Sequence, residues 1–215
     1  MVKLQIIWVR YKNFNMKTVG IIGNIGSGKS YVSKLFRQHG FTAIDLDFDA
    51  KFLYELDVIK INMKILFGDD IYVDGKINKT ELASIIFNND SKRVQLEKLL
   101  KPYLLKQLYE DLYHLEYVQK EKIVFIESAT MLKTGLYKSF DEIIVVYSDY
   151  KDRLRMVTEH RGMSANDFYN RNNMQIQISE SLRILKKNNI KYTFFHNKYD
   201  NSSELFVLDY IKSNI

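Results

Sequence analysis

The 215-residue chain contains no cysteine and a single proline, Pro102. The lack of cysteine excludes disulfides and thiolate-ligated metal sites, which agrees with a cytoplasmic protein. No apolar run approaches the ~20 residues that a membrane helix needs, so we expect no membrane association. The chain has 46% hydrophobic and 27% charged residues, which is the composition of an ordinary globular protein.

The chain is basic, with a formal net charge of +6 and a sequence pI of about 9.2. Its lysines and arginines are spread along the sequence and do not form a basic arm, so we expect no nucleic-acid partner. A generic lysine-rich surface and a site for an anionic small molecule both remain open as explanations.

The first fifteen residues, "MVKLQIIWVRYKNFN", are mildly apolar, but Arg10 and Lys12 interrupt the apolar run. No small-residue cleavage site follows, which argues against a signal peptide. The first predicted strand begins just after Met16. We therefore interpret residues 1–15 as a leader, either poorly ordered or translated from an upstream start codon.

Apolar runs typical of buried strands alternate with amphipathic, helix-like segments along the chain. This alternation predicts an α/β fold of three layers, in which helices cover both faces of a five-stranded parallel sheet. The predicted strands are 18–23, 41–47, 122–128, 141–148 and 190–197.

Several helix ends are also predicted. Gly40 is placed to stop the first helix, and Asn78 and Ser164 are placed to cap two later ones. Pro102 is tolerated in the first turn of a helix, so we expect it to begin the leucine-rich helix "PYLLKQLYEDLYHLEYVQ".

The segment "GNIGSGKS", residues 23–30, has the spacing G-x-x-x-x-G-K-S of a phosphate-binding loop. It follows an apolar strand and opens an amphipathic helix, the context that such a loop requires. Glycines allow backbone N–H groups to turn towards an anion, and the helix N-terminus adds positive potential. Lys29 is expected to reach the β- and γ-phosphates of ATP, and the Ser30 hydroxyl to bind Mg²⁺. The residues expected to hold the phosphates are Asn24, Ile25, Gly26, Ser27, Gly28, Lys29, Ser30 and Tyr31.

Acidic residues occur where two predicted strands end, which is where ligands bind in such sheets. They are Asp45 and Asp47 in "IDLD" and Glu127 in "VFIES". An acid at this place can accept a hydroxyl proton or hold a magnesium-bound water; a helix cap or a solvated turn is the alternative for each. Strand alternation predicts that Asp45 and Asp47 share one face. Asp49 is a weaker candidate, already in the next helix.

These segments together resemble the dephospho-coenzyme A kinase family. "GIIGNIGSGKSYVSKLF" is similar to the family's "GLTGGIGSGKSTVA", and "IDLDFDAK" to "IDADxxAR". The block "LFGDDIYVDGKINKTELASIIFNNDSKRVQLEKLLKPYL" and the segment "HRGMSANDFYNRNNMQ" also match, as does a strand ending in "HN". The resemblance covers roughly residues 17–200, and its combination of motifs is far more specific than the phosphate loop alone.

The resemblance implies that ATP phosphorylates the ribose 3′-hydroxyl of dephospho-coenzyme A, with Asp47 as the base. For Glu127 we keep the role argued from its place at a strand end, which is to hold Mg²⁺ through water. The resemblance also implies a nucleotide-binding core, a helical substrate-binding insertion and a lid. We expect a monomer or a weak homo-oligomer. The core would comprise 16–48, 121–150 and 186–215, the insertion 49–120 and the lid 151–185.

The chain departs from the family pattern at several positions. Lys101 replaces the histidine of a His-Pro pair, and Lys133 replaces an acid. Met156 and His160 stand where the family carries arginines. These departures indicate a divergent member, and Lys101 could retain a cation at the histidine's place.

Arginines in the predicted lid have a chemical rationale, because guanidinium groups neutralise charge on a transferred phosphoryl group. Arg155 and Arg161, which lie beside Met156 and His160, are the catalytic candidates, and Arg171 is a candidate for binding the ATP phosphates. A solvated basic helix face is the alternative for each of them.

Two other functions compete with the first. One is a kinase for nucleosides or nucleoside monophosphates on the same scaffold. The other is a nucleotide-gated regulatory protein or a degenerate homologue that binds ATP without catalysis.

Overall fold

The computed structural model describes residues 14–214, apart from the side chains of Phe87 and Asn88. The interpretation of residues 1–15 as a leader falls almost entirely outside this range. Within it the chain divides into two compact units, Leu46–Val118 and the combination of 14–45 with 119–214. No helix among the described residues is long and apolar enough to cross a membrane.

The elements follow one another as strands and helices of very different length. The strands are β1 Lys17–Ile22, β2 Thr42–Asp45, β3 Tyr72–Val73, β4 Lys76–Ile77, β5 Ile123–Glu127, β6 Glu142–Tyr147 and β7 Tyr192–His196. The helices are α1 Lys29–Gln38, α2 Leu46–Leu53, α3 Asp57–Phe67, α4 Lys79–Asn88, α5 Asp90–Tyr117, α6 Met131–Thr134, α7 Tyr150–Arg161, α8 Ala165–Asn173, α9 Ile178–Lys187 and α10 Ser202–Asn214.

The larger unit is built on a five-stranded parallel sheet with the order β2-β5-β1-β6-β7. Each of the five predicted strands is present, so the predicted α/β fold is confirmed. β1 lies between β5 and β6. The strands β2 and β5 lie on one side of β1, and β6 and β7 lie on the other, so the direction of winding reverses at β1. Such a reversal opens a ligand-binding crevice at the carboxyl ends of the strands.

Helices cover this sheet, and its three central strands, β5, β1 and β6, are almost entirely buried, which explains why they are mostly apolar. Phe36 of α1 stacks on Phe125 of β5, with ring centroids 3.7 Å apart, and Tyr210 of α10 meets both rings edge-on. Val19, Ile21 and Ile144 join the same core, and their side chains are fully buried.

The end of α1 confirms the role predicted for Gly40. Its φ of 86° is in the left-handed region, where glycine carries no steric cost. The Gly40 N–H donates to the Arg37 carbonyl at 3.0 Å, and the Phe41 N–H donates to the Phe36 carbonyl at 3.1 Å. This pair of bonds closes the helix and aims the chain into β2.

The smaller unit packs α3, α4 and α5 around Ile59, Met63 and Ile71. The predicted caps are present in both units: Asn78 accepts the Glu81 N–H, and Ser164 accepts the Asp167 N–H, each at 3.1 Å.

The prediction that Pro102 begins a helix is wrong. α5 runs through Pro102 from Asp90, where the Asn89 side chain caps it by accepting the Lys92 N–H at 3.1 Å. A proline inside a helix removes one backbone hydrogen bond. Leu96 and Leu100 before it and Tyr103 after it all pack in the core of the smaller unit, and this burial offsets the loss.

The predicted extent of the second strand is also wrong. β2 ends at Asp45, and the chain is helical from Leu46, so Asp47 and Asp49 lie in the first turn of α2. Asp45 and Asp47 therefore do not share a strand face. Acids in a helix first turn are favoured by the helix dipole, which stabilises this early change to helix.

Candidate active site

The loop between β1 and α1 adopts the conformation that its glycines predict. Gly26 and Gly28 have φ values of 77° and 91°, both in the left-handed region. A β-carbon at Gly28 would lie 2.1 Å from the Asn197 side-chain nitrogen, and one at Gly26 would lie 2.8 Å from the Arg153 carbonyl oxygen. A side chain at either position is therefore excluded both by the backbone and by its neighbours.

Three chemically important side chains meet where this loop enters α1. The Ser30 hydroxyl donates to Glu127 Oε1, and Lys29 Nζ lies 3.4 Å from the same oxygen. Glu127 is the last residue of β5 and is 1% exposed. Its second oxygen, Oε2, has no hydrogen-bond partner among the described residues. The structure thus brings together a cation, a hydroxyl and a buried carboxylate with one unused oxygen.

The acids at the strand ends have different positions. Asp45, the last residue of β2, is in register with Glu127 of the adjacent strand. Asp47 follows two residues later in α2 and belongs to the smaller unit. Of the two acids in "IDLD", Asp45 is the one that ends a strand beside Glu127.

A cleft of about 550 Å³ opens on one side of the loop. Its walls come from the loop, from α7 and from the turn between β7 and α10. The residues that line it include Gly26, Gly28, Tyr31, Arg161, Asn197, Tyr199 and Glu204.

Tyr31 forms part of this wall and is tied to α10. Its hydroxyl donates to Glu204 Oε1, and the hydrogen bond to this carboxylate raises the pKa of the Tyr31 phenol. The ring remains exposed. The side chain of Tyr31 thus faces the cleft with its hydroxyl fixed, a role that the prediction from the phosphate loop did not include.

The three candidate arginines are not brought together. Arg161, at the end of α7, lines the cleft together with Met156 and His160, the two departures from the family pattern. Arg155 forms an ion pair with Asp152 at 3.0 Å, and its side chain is 55% exposed. Arg171 lies exposed in the last turn of α8. Arg161 is therefore the one that the structure places beside the phosphate loop.

Residues 174–176, after α8, lie directly against the loop. The Ile25 N–H donates to Gln175 Oε1 at 2.7 Å, and the Asn24 side chain donates to the Ile176 carbonyl at 3.2 Å. Lys133, another departure, donates to the Met174 carbonyl. Gln175 ends the segment "HRGMSANDFYNRNNMQ", whose similarity to the family was the sequence signal for this contact, but that similarity did not specify the partner.

Arg153 is buried behind the loop, where sequence reasoning did not place a functional cation. Its guanidinium donates to the carbonyls of Ser148 at 3.1 Å and Ile25 at 3.2 Å, and to Asn172 Oδ1 at 2.8 Å. Burial lowers the pKa of Arg153. Because these partners are backbone and amide oxygens, the residue acts as a charged hydrogen-bond donor within the protein.

Comparison of the sequence with known proteins identifies the family of this chain. Residues 17–190 match the sequence profile of dephospho-CoA kinase. The chain belongs to the dephospho-CoA kinase family. A dephospho-CoA kinase of Aquifex aeolicus is 30% identical over 174 residues, which cover 78% of this chain and 85% of that protein.

Solved structures agree on the fold. A Thermus thermophilus protein, TT1252, superposes with a TM-score of 0.78 at 24% identity, covering 94% of this chain and 98% of that one. Dephospho-CoA kinase from Campylobacter jejuni superposes with a TM-score of 0.59 at 20% identity, covering 92% and 97%. The dephospho-CoA kinase family consists of enzymes that use ATP, and the phosphate loop is the part of this chain suited to it.

Proposed function

We propose that this protein transfers the γ-phosphoryl group of ATP to the ribose 3′-hydroxyl of dephospho-CoA, which gives CoA and ADP, the last step of CoA synthesis. The observation that carries the proposal is the convergence of Lys29 and Ser30 on the buried Glu127, in a chain of the dephospho-CoA kinase family. No membrane or nucleic-acid partner is part of the proposal. We place the reaction in the cytoplasm and expect a monomer or a weak homo-oligomer.

The phosphate chain of ATP binds across the loop and the start of α1. Backbone N–H groups and Lys29 neutralise its charge, and the nucleoside occupies the cleft beside Gly28 and Tyr31. Of the arginine candidates, Arg161 is the best placed to meet the transferred group, because it lines this cleft. Arg155 and Arg171 remain proposed contacts. Reaching ATP would require Arg155 to leave its ion pair with Asp152.

The residues around Glu127 fit a magnesium ion. No group of three or more acidic or histidine side chains in the described part of the chain is arranged to hold a metal directly. Mg²⁺ is commonly held by few protein ligands, with waters and substrate phosphates completing its shell. The Ser30 hydroxyl supplies such a ligand, and the unused Glu127 Oε2 can accept a hydrogen bond from a metal-bound water. When bound, Mg²⁺ neutralises charge on the β- and γ-phosphates.

The acceptor hydroxyl requires a base, and we propose Asp47 for this role on the basis of the family motif. A carboxylate that accepts the hydroxyl proton makes the ribose oxygen a better nucleophile as the phosphoryl group arrives. Asp45 is the alternative in the same motif. Its position beside Glu127 suits it to the hydration of the metal instead.

The experiment incubates the purified protein with ATP, Mg²⁺ and dephospho-CoA, with adenosine and AMP in parallel reactions, and measures ADP release. We expect release with dephospho-CoA alone, and phosphate on the 3′-hydroxyl of the product. Release with adenosine or AMP alone would indicate a nucleoside or nucleotide kinase. ATP binding without release in any reaction would indicate a homologue that has lost catalysis.

A further inference from the structure

Three consecutive carbonyl groups of the phosphate loop are each held by a donor from outside the loop. The Ile25 carbonyl accepts from Arg153 at 3.2 Å, and the Ser27 carbonyl accepts from the Asn197 side-chain amide at 3.0 Å. Between them, the Gly26 carbonyl accepts from the Tyr199 hydroxyl. We call Arg153, Asn197 and Tyr199 the outer donors. They come from α7 and from the turn after β7, so neither the loop nor its helix supplies them.

Because the peptide bond is planar, fixing these carbonyl groups also fixes the directions of the N–H groups in the same peptides. In a trans peptide the C=O and the following N–H point in opposite directions. Fixing the Ile25 and Ser27 carbonyls outward therefore aims the N–H groups of Gly26 and Gly28 to the opposite side of the loop. The N–H group of Ser27, which lies between Gly26 and Gly28 in the loop, donates to the Asn24 carbonyl at 2.9 Å and closes the turn.

The outer donors are themselves fixed. Asn197 is 2% exposed, and its Oδ1 accepts from the Tyr199 N–H at 2.9 Å and from the Ser203 hydroxyl at 3.3 Å. Arg153 is 6% exposed, with its guanidinium 5.7 Å from the centroids of the Tyr150 and Phe168 rings. Because these side chains are held by packing and further hydrogen bonds, they can impose a conformation on the loop.

We propose that Arg153, Asn197 and Tyr199 are positioning residues, which preset the loop so that its amides face the phosphates of ATP. Asn197 and Tyr199 contact the loop from the cleft that Gly26 and Gly28 also line, and Arg153 contacts it from a buried position in α7. Together they stabilise the binding-competent conformation of the loop before ATP arrives. The inference rests on the proposed function in one respect, that the loop binds the phosphates of ATP. It goes beyond that function in naming what holds the loop in shape.

The sharpest test is Tyr199→Phe, which removes one hydroxyl and leaves the ring. Dissociation constants of Mg²⁺-ATP and of Mg²⁺-tripolyphosphate, which has no nucleoside, are measured by competition with a fluorescent ATP analogue. We expect both ligands to bind about fivefold more weakly, because one hydrogen bond that holds the loop is lost. Tyr147→Phe, which removes a hydroxyl that donates to Asp149 at 2.8 Å, is the matched control and should leave both constants unchanged.

The outcomes separate the possible roles of Tyr199. A loss for ATP without a loss for tripolyphosphate would mean that the hydroxyl binds the nucleoside, and it would overturn the proposal. A lower melting temperature with both constants unchanged would assign the residue to stability alone. Failure of the wild-type protein to bind either ligand would instead overturn the proposed function, on which the inference rests.

Asn197→Asp provides a second, independent test, because it keeps the size and the Oδ1 acceptor but replaces the donor with an acceptor oxygen. We expect about tenfold weaker binding of tripolyphosphate, since a carboxylate cannot donate to the Ser27 carbonyl. The Gly28 amide resonance of the ligand-free protein should shift in the NMR spectrum, because the orientation of this peptide changes. An unshifted Gly28 resonance together with wild-type tripolyphosphate binding would contradict the proposal.

Discussion

Two buried glutamates lie at opposite ends of the same sheet, and their surroundings differ in one decisive way. Glu127 ends β5, and Glu142 begins β6; each is 1% exposed and has lysine nearby. Glu142 Oε1 accepts the Thr193 hydroxyl at 2.7 Å, and its Oε2 lies 3.2 and 3.0 Å from the ammonium groups of Lys17 and Lys191. Neither Glu142 Oε2 nor Glu127 Oε2 has a hydrogen-bond partner among the described residues, but Glu142 Oε2 forms two ion pairs.

At Glu127, by contrast, both contacts fall on one oxygen, and they come from a loop shaped to bind an anion. The comparison teaches that burial of an acid next to lysine does not identify a functional site. The end of the sheet at which the acid lies does identify one, because ligands bind outside the carboxyl ends of the strands in a parallel sheet. Glu142 lies at the amino ends, so we interpret its network as structural.

The largest effect expected at the carboxyl end comes from Lys29→Met. Removal of the ammonium group should lower kcat/KM by about 10³-fold, because this charge meets the phosphates as they react. ADP release with dephospho-CoA measures it. A Lys191→Met variant at the other end is the control and should retain nearly wild-type turnover. Equal losses in the two variants would erase the distinction between the two ends.

Asp47→Asn tests whether a third carboxylate performs the proton transfer. We expect kcat to fall by about 10²-fold while the dissociation constant of ATP changes little, because the group acts at the acceptor hydroxyl. Asp45→Asn, the alternative base in the same motif, is the comparison variant, and the larger loss of kcat identifies the base. Turnover within about threefold of wild type in Asp47→Asn would show that the base assignment is wrong.

Glu127→Gln keeps an acceptor for the Ser30 hydroxyl and removes the negative charge. We expect about a tenfold loss of activity and a higher Mg²⁺ concentration for half-maximal rate, the size typical of residues that orient a metal's shell. The rate is measured across a Mg²⁺ titration. An unchanged titration midpoint would argue against a water-mediated contact between Glu127 and the metal.

Glu142→Gln should show the reverse pattern. We expect a loss of about 2 kcal/mol in the free energy of unfolding, or roughly 4–8 °C in Tm, with kcat almost unchanged. Chemical denaturation and the same kinase assay measure the two effects. A large loss of turnover at unchanged stability would make Glu142 part of the functional machinery and contradict the comparison.

The smallest effect is a pH dependence of that stability difference. Desolvation opposes ionisation of Glu142, but the hydrogen bond from Thr193 and the contacts with the charged Lys191 and Lys17 prevail and hold its pKa below the ordinary value. The stabilisation is therefore fully present above the unfolded-state pKa of about 4.3, and it is lost as pH falls through the lower folded-state value. The stability gap between wild type and Glu142→Gln should narrow between pH 5 and the acid limit. A stability difference that widens on acidification would mean that the pKa of Glu142 is raised in the folded state, which would contradict the prediction.

Much of the fold could be predicted because local patterns encode it. Apolar runs identified every strand of the main sheet, and Gly40, Asn78 and Ser164 marked helix ends by their own backbone chemistry. Two predictions failed where local rules met competing forces. Burial on both sides of Pro102 kept α5 continuous, and the chain turned helical at Leu46, before Asp47.

The site divides in the same way. The spacing of "GNIGSGKS" by itself predicted a glycine-dependent phosphate loop, and the acid at the end of the third strand pointed to Glu127. The tertiary structure alone decided which side chains hold that loop, because Arg153, Asn197 and Tyr199 lie more than a hundred residues away along the chain. Backbone chemistry is local and can be read from a short motif. The donors that fix a loop are set by packing, and packing depends on the whole fold.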